Sequence, residues 1–232
     1  MGSHELAKEM ETKRPNLYVL KYRALEPLLV KIHDRTTGHM QFKHYADRLM
    51  RILAEEGLAS CVSTTTTVVT PTGDSVTGVA PAESVCAVSI IRAGCSLLHA
   101  VVSCDPTIAV GKILIQRDES SEDKHAVMYY SKLPPNVATY KNVLVVDPML
   151  GTGGSITMAI KTLLAAGVDE SRITFLNVLS CPEGLDALFT AHPNVKVVTA
   201  GVDRGLNEEK YLVPGIGDFG DRYFNTVHSH HP

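Results

Sequence analysis

The clearest helical pattern in the chain covers residues 41–56. Phe42, Tyr45, Leu49, Ile52 and Leu53 recur on one face, while Lys43, Asp47, Arg48, Arg51 and Glu55 fall elsewhere. Gly57 is expected to stop this helix. A shorter helix is expected over residues 25–32, with Pro27 tolerated in its first turn. The other pattern is the short unbroken apolar run of a strand buried on both faces. Residues 85–91 and 143–146 read in this way, and residues 108–116, 126–130, 173–179 and 195–200 as further strands. Helical stretches at 95–102, 156–164 and 183–191 lie between them, with Gly167 as the C-terminal stop of the second. The order β-α-β-α-β from Asn142 to Ala200 predicts parallel strands joined by crossover helices.

Two β-branched runs, residues 64–70 and 75–79, flank the turn Pro71-Thr72-Gly73-Asp74 and predict a small hairpin beside the sheet. The fold class is therefore α/β: a mostly parallel central sheet with flanking helices, plus a small β-hairpin appendage. Residues 1–15 are polar and mixed in charge and read as a flexible arm; 16–227 form one domain and 228–232 a flexible tail. Residues 202–226 are rich in glycine and read as mostly irregular.

Composition narrows the function by exclusion. Length 232 with 44% hydrophobic and 20% charged residues suits one soluble globule. A net charge of −3 leaves no nucleic-acid footprint. No apolar run reaches membrane-spanning length and no secretory core is visible. Leu6 removes the Met1-Gly2 start from the myristoylation pattern. Cys61, Cys86, Cys95, Cys104 and Cys181 form no C-x-x-C and read as reduced thiols of a cytoplasmic protein. His228, His230 and His231 have no partners spaced for zinc. Ser89, Ser96 and Ser155 lack the G-x-S-x-G setting of a hydrolase nucleophile.

The chemistry concentrates at residues 142–167. An apolar strand runs into Asp147-Pro148, then Gly151-Thr152-Gly153-Gly154-Ser155, then an apolar-periodic helix. Backbone N–H groups of such a loop, with a helix N-terminus behind it, make an anion site. It is not a P-loop, because Ile156 follows Ser155, and Gly151, Gly153 and Gly154 miss the dinucleotide spacing. Open parallel sheets bind ligands beyond the carboxyl ends of their strands. Arg92-Ala93-Gly94, Arg117-Asp118-Glu119 and residues 147–155 follow strands directly, and the loop 211–220 joins them. Two arginines, an acid and a phosphate loop suit a polyphosphorylated sugar.

The single acid before TGGS (147–155) resembles the phosphoribosyl pyrophosphate (PRPP) signature of uracil phosphoribosyltransferases. With it stand DRTT (34–37), YADRLMRILAEEGL (45–58), TPTG (70–73), VSIIRAG (88–94), GKILIQRDE (111–119) and PGIGDFGDRYF (214–224). Together these resemble the uracil phosphoribosyltransferase family, a type I phosphoribosyltransferase family, over roughly residues 16–227, in its eukaryotic-like branch.

The resemblance implies transfer of the 5-phosphoribosyl group of PRPP to N1 of uracil, giving UMP and pyrophosphate. It implies Asp147, Arg92 and Arg117 as catalytic residues. PRPP would be held by Arg92, Ala93, Gly94, Arg117, Asp147, Pro148, Met149, Leu150, Gly151, Thr152, Gly153, Gly154, Ser155 and Asp218. Uracil would be read by main-chain groups of Leu212, Gly217, Asp218 and Phe219. Mg²⁺ would arrive with PRPP, without a direct protein site. GTP as an allosteric activator and a homodimer or homotetramer are further implications, with no nucleic acid or membrane partner. Gly151 and Phe219 both stand where many relatives carry alanine. A side chain at Gly153 is expected to occupy the anion's space. A non-catalytic pyrimidine-nucleotide sensor on the same fold is the alternative, and a purine-using transferase a third.

Overall fold

The apolar runs pair into one sheet in the computed structural model, which describes residues 3–117 and 126–226; the side chains of Ser3, His4 and Arg117 lie outside that description. In chain order the elements begin α1 (Ser3–Lys13), β1 (Leu17–Val19), α2 (Leu25–His33) and α3 (His39–Ala59). The hairpin β2 (Thr65–Val69) and β3 (Ser75–Val79) follows, then β4 (Val85–Ile91), α4 (Gly94–Cys104), β5 (Ala109–Arg117) and β6 (Ala126–Lys132). The second half runs β7 (Asn142–Val146), β8 (Met149–Leu150), α5 (Gly154–Ala165), β9 (Ile173–Ser180), α6 (Pro182–Ala191) and β10 (Lys196–Val202). It closes with β11 (Gly205–Leu206), β12 (Leu212–Val213) and α7 (Phe219–Phe224).

The sheet order is β1-β10-β9-β7-β4-β5-β6, with β8 alongside β9. All neighbours are parallel except β5 and β6. From β4 the chain moves to β5 on one side; from β7 it moves to β9 on the other. The sheet thus changes winding direction between β4 and β7, where a crevice opens beyond the strand ends. Residues 92–94 and 147–155 leave the sheet at that crevice.

Both faces of the sheet are covered, which is why its strands lack alternation. On β7, Val143 and Val145 face one core with α1, α5 and α6, and Leu144 and Val146 face the other with α2, α3, α4 and α7. Each fully buried side chain of this size contributes roughly 1.5–3 kcal/mol. The hairpin β2–β3 stands apart, with every residue of both strands exposed.

Two expectations are corrected. Gly57 does not stop α3, which runs on to Ala59. A Cβ at Gly57 would sit 2.5 Å from Leu176 Cδ1, so glycine is there for close helix–sheet approach. Residues 3–13, read as part of a flexible arm, are helical, and Met10 is buried against the sheet. Residues 202–226 are mostly irregular, as read, with the short pair β11–β12 and the helix α7 set within them. Gly167 does act as the stop of α5: at φ 87 it donates to Leu164 O while Val168 N–H donates to Leu163 O, a Schellman closure. Asp118 and Glu119 of the candidate segment after β5, the polar stretch 120–124 and the tail 228–232 lie outside the described residues.

Candidate active site

The phosphate loop is built against β9 and α6. Asp147 N–H donates to Leu176 O (3.2 Å), and Pro148 O accepts from Val178 N–H (2.8 Å) and Leu179 N–H (3.0 Å). These bonds continue the ladder past the end of β7 and fix where Asp147 leaves the sheet. Gly153, at φ 82, is the N-cap of α5, a conformation a side chain would strain. It offers no capping side chain, so the first-turn amides of α5 keep their donors for another acceptor. From below, α6 packs so closely that a Cβ on Gly184 would lie 2.3 Å from Gly151 O and 2.9 Å from Leu150 O. Cys181 Sγ lies 3.3 Å from Gly151 O on the same side.

The facing wall is the turn after β12. Gly215, at φ 65, sits so close to Leu212 that a Cβ would lie 2.0 Å from its carbonyl oxygen. Gly215 N–H donates to buried Asp203 (3.0 Å). The Arg222 guanidinium donates to Ile216 O (2.8 Å), Ile32 O (2.6 Å) and Asp34 O (2.9 Å), and lies 4.2 Å over the Phe42 ring. It ties the turn to α2 and the segment after it. Phe219 carries its ring into the core, edge-on to Phe42 at 5.5 Å. Asp218 caps α7, accepting from Asp221 N–H at 2.7 Å.

Between the walls lies a pocket of about 580 Å³. It brings together Asp147, all of residues 149–155, Leu212, Gly217, Asp218 and Phe219. Tyr211, from the candidate loop 211–220, also lines it, and so do Gln116, Ile156 and Lys210, which the sequence did not single out. Gln116 adjoins the arginine singled out at the end of β5, and Lys210 lies one residue outside the loop 211–220; adjacency was the available signal.

Four expected residues stand off the lining. Pro148 is buried, with its carbonyl committed to β9. Arg92, Ala93 and Gly94 back the floor: a Cβ on Gly94 would lie 2.4 Å from Val146 O, just before Asp147. Arg92 is engaged by α7 and the residues after it. Its Nη2 is 2.5 Å from Asp221 Oδ1 and its Nη1 donates to Thr226 Oγ1 at 2.8 Å. A Cβ on Gly220 would lie 3.2 Å from Arg92 Nη2 and 3.3 Å from Asp218 Oδ1, so guanidinium and carboxyl flank one glycine. The backbone of Arg117 ends β5, in register with Ala126; its side chain is outside the described residues.

Asp147 has an unusual acidity. Its depth at the pocket floor, away from bulk water, pushes its carboxyl up to about 8, and the Asp218 charge pushes the same way. A hydrogen bond from Met149 N–H opposes them. Part of the side chain remains open to the pocket, so the desolvation reflects the depth of the cavity more than contact with the core. Between them, Asp147 and Asp218 supply the carboxylates of the lining.

A glycine-rich anion cradle at the winding reversal of a parallel sheet, faced by a main-chain turn, defines a phosphoribosyltransferase-type α/β protein. The family model described as "Uracil phosphoribosyltransferase" matches residues 19–226, and the chain belongs to that family, an enzyme family of pyrimidine salvage. It is 45% identical over 212 residues to a uracil phosphoribosyltransferase of Dictyostelium discoideum, covering 91% of this chain and 97% of that protein. It is 41% identical to uridine kinase-like protein 3 of Arabidopsis thaliana, covering 97% of this chain but 47% of that relative, about half its length. Among solved structures, the AQ2163 protein from Aquifex aeolicus superposes with a TM-score of 0.77 at 27% identity, over 90% of this chain and 97% of that one. Among the described residues no helix is long and apolar enough to cross a membrane.

Proposed function

We propose that the chain transfers the 5-phosphoribosyl group of PRPP to N1 of uracil, forming UMP and pyrophosphate. The observation that carries this reading is the shared pocket: the anion cradle 151–155 and the turn at Leu212, Gly217 and Phe219 line one cavity, with Asp147 between the two chemistries.

The amides of Gly151 to Ser155 and the start of α5 hold the 5′-phosphate, helped by the helix dipole. Asp147 accepts from the ribose hydroxyls, and its carboxylate favours positive charge developing on the sugar as the bond to pyrophosphate breaks. Arg92 and Arg117 neutralise the departing pyrophosphate; Arg92 does so by exchanging Asp221 for a phosphate oxygen. The carboxyls of Asp147 and Asp218 on one lining fit Mg²⁺ arriving with PRPP; they would help to hold it, and it would supply charge neutralisation. The turn at 212–219 presents main-chain donors and acceptors to the uracil edge. Its rigidity is the source of orientation, which contributes up to about 7–11 kcal/mol in favourable cases. Cytosine brings an amino group where uracil has a carbonyl, so the same edge rejects it.

Self-association as a homodimer or homotetramer belongs to the same proposal. It is supported by the hairpin β2–β3, which exposes Val68, Val69, Val76 and Val79, because an isolated two-stranded hairpin is marginally stable. GTP as an allosteric activator rests on the family resemblance. A cytoplasmic setting rests on thiols held free in the core, where burial pushes Cys61 up to about 11 and Cys86 and Cys181 up to about 12.

The test is to incubate the protein with Mg²⁺, PRPP and each labelled nucleobase and to separate the products. UMP with pyrophosphate, and no purine nucleotide, is expected. A purine nucleotide, or tight UMP binding without turnover, would contradict the reading.

A further inference from the structure

We propose that Lys210 is a binding residue of the pocket, holding a phosphate group of the substrate from the wall opposite the glycine loop; this inference rests on the PRPP reading above. The chain reaches it through a tight turn. Lys210 N–H donates to Asn207 O (3.0 Å), Tyr211 N–H to Asn207 Oδ1 (2.8 Å), and Asn207 N–H to Tyr211 O (2.9 Å). This closure forces residue 210 to φ 68, in the left-handed region. Glycine occupies that region freely and asparagine tolerably; for lysine it costs stability. Two of the other three non-glycine residues at positive φ among the described residues are asparagines, Asn136 and Asn225. A lysine held in such a conformation calls for a compensating role of its side chain.

Its position supplies one. The Lys210 carbonyl oxygen lies 3.7 Å from where a Cβ on Gly151 would stand, so the residue sits directly across the first glycine of the cradle. Among the described side chains lining the pocket, Lys210 is the one cation, against the carboxyls of Asp147 and Asp218. A cradle of amides offers only partial charges to a ligand that carries three phosphate groups in all. The side chain is exposed at the rim, and an ammonium on a four-carbon stem can fold over a bound phosphate without distorting the loop beneath. Glu208 and Glu209, its neighbours in sequence, are exposed to solvent beside it and would weaken, not replace, that charge.

The backbone conformation provides a clean test. Lys210→Gly keeps the turn, because glycine takes φ 68 without strain, and removes only the charge. PRPP affinity is measured by titration calorimetry with Mg²⁺ over a salt series, alongside the melting temperature. Lys210→Gly is expected to melt no lower than wild type and to bind PRPP about tenfold more weakly, the loss of one charge-assisted hydrogen bond. Its affinity should also fall less steeply with salt. Lys210→Arg should stay close to wild type in PRPP affinity. Equal PRPP affinity in wild type and Lys210→Gly would overturn this inference alone. A wild-type chain without PRPP affinity would overturn it together with the reading on which it rests.

Discussion

Asp147 and Asp218 come from distant parts of the chain, yet they line one pocket, close enough for the charge of Asp218 to raise the Asp147 carboxyl. Asp147 marks where β7 ends and the phosphate loop begins. Asp218 marks where the base-facing turn ends and α7 begins. Their meeting is the geometric condition for a reaction that joins a sugar phosphate to a base, and burial at the pocket floor, reinforced by the charge of Asp218, explains why Asp147 holds its proton.

Replacing Asp147 separates function from stability. The folded carboxyl titrates near 8, the unfolded one at about 3.9. Between those values the folded chain keeps a proton that the unfolded chain releases, so stability falls as pH rises through this window. Asp147→Asn removes that penalty. Calorimetric melting should find the variant's advantage over wild type growing from about pH 4 to about pH 8 and levelling off above it. Its kcat/KM should fall by a factor on the order of a hundred or more. Near-normal turnover would remove Asp147 from the mechanism.

The same carboxyl should report substrate binding. Hydroxyl groups donating to Asp147 favour its ionised form, so binding lowers its pKa and expels a proton near neutral pH. Titration calorimetry of PRPP in two buffers of different ionisation enthalpy should therefore show proton release at pH 7. Asp147→Asn should abolish the part due to this group.

At Gly153 the outcome expected from sequence stands for a different reason. A Cβ there does not enter the anion's space; it points to α6, 3.2 Å from Ala187 Cβ and 3.3 Å from Gly184 O, on a backbone at φ 82. Gly153→Val should lift the loop and weaken PRPP binding at least tenfold, about 1.4 kcal/mol. Gly184→Ala, in a residue off the pocket lining, should weaken PRPP binding too, because its methyl would meet Gly151 O. Unchanged PRPP affinity in both variants would mean that α6 does not set the loop.

Arg222 should control the base half of the pocket. Its guanidinium holds Ile216 O, next to Gly217, while also bonding Ile32 O and Asp34 O. Lysine cannot span three carbonyls in this fork geometry. Arg222→Lys should raise KM for uracil about tenfold, leave KM for PRPP near wild type, and cost about 1–3 kcal/mol of stability. Steady-state kinetics with each substrate varied in turn checks the split; a rise confined to PRPP would contradict it.

Much of this architecture was legible from residue order. The central strands showed as apolar runs because helices cover both faces of the sheet. The cradle at 147–155 showed because few uses other than anion binding combine a strand end, three glycines and a helix start. What escaped was non-local or weakly patterned. Leu6, Ala7 and Met10 give α1 a stripe little more than one turn long, too narrow to distinguish a helix from a polar arm. Gly57 reads as a stop unless Leu176 is known to press against it. The capture of Arg92 by Asp221 joins residues far apart in sequence and leaves no local trace. Lys210 gives no sign of its left-handed backbone, because lysine is a poor marker for that region.

The central claim is that one small molecule touches the anion cradle and the base-facing turn at once. Amide hydrogen exchange with and without UMP tests it most directly. A single equivalent of UMP should slow exchange both at residues 150–156 and at residues 212–219, with both effects following one binding curve. Protection of one segment alone, or of the two at different UMP concentrations, would show that the walls serve separate ligands and would contradict the account.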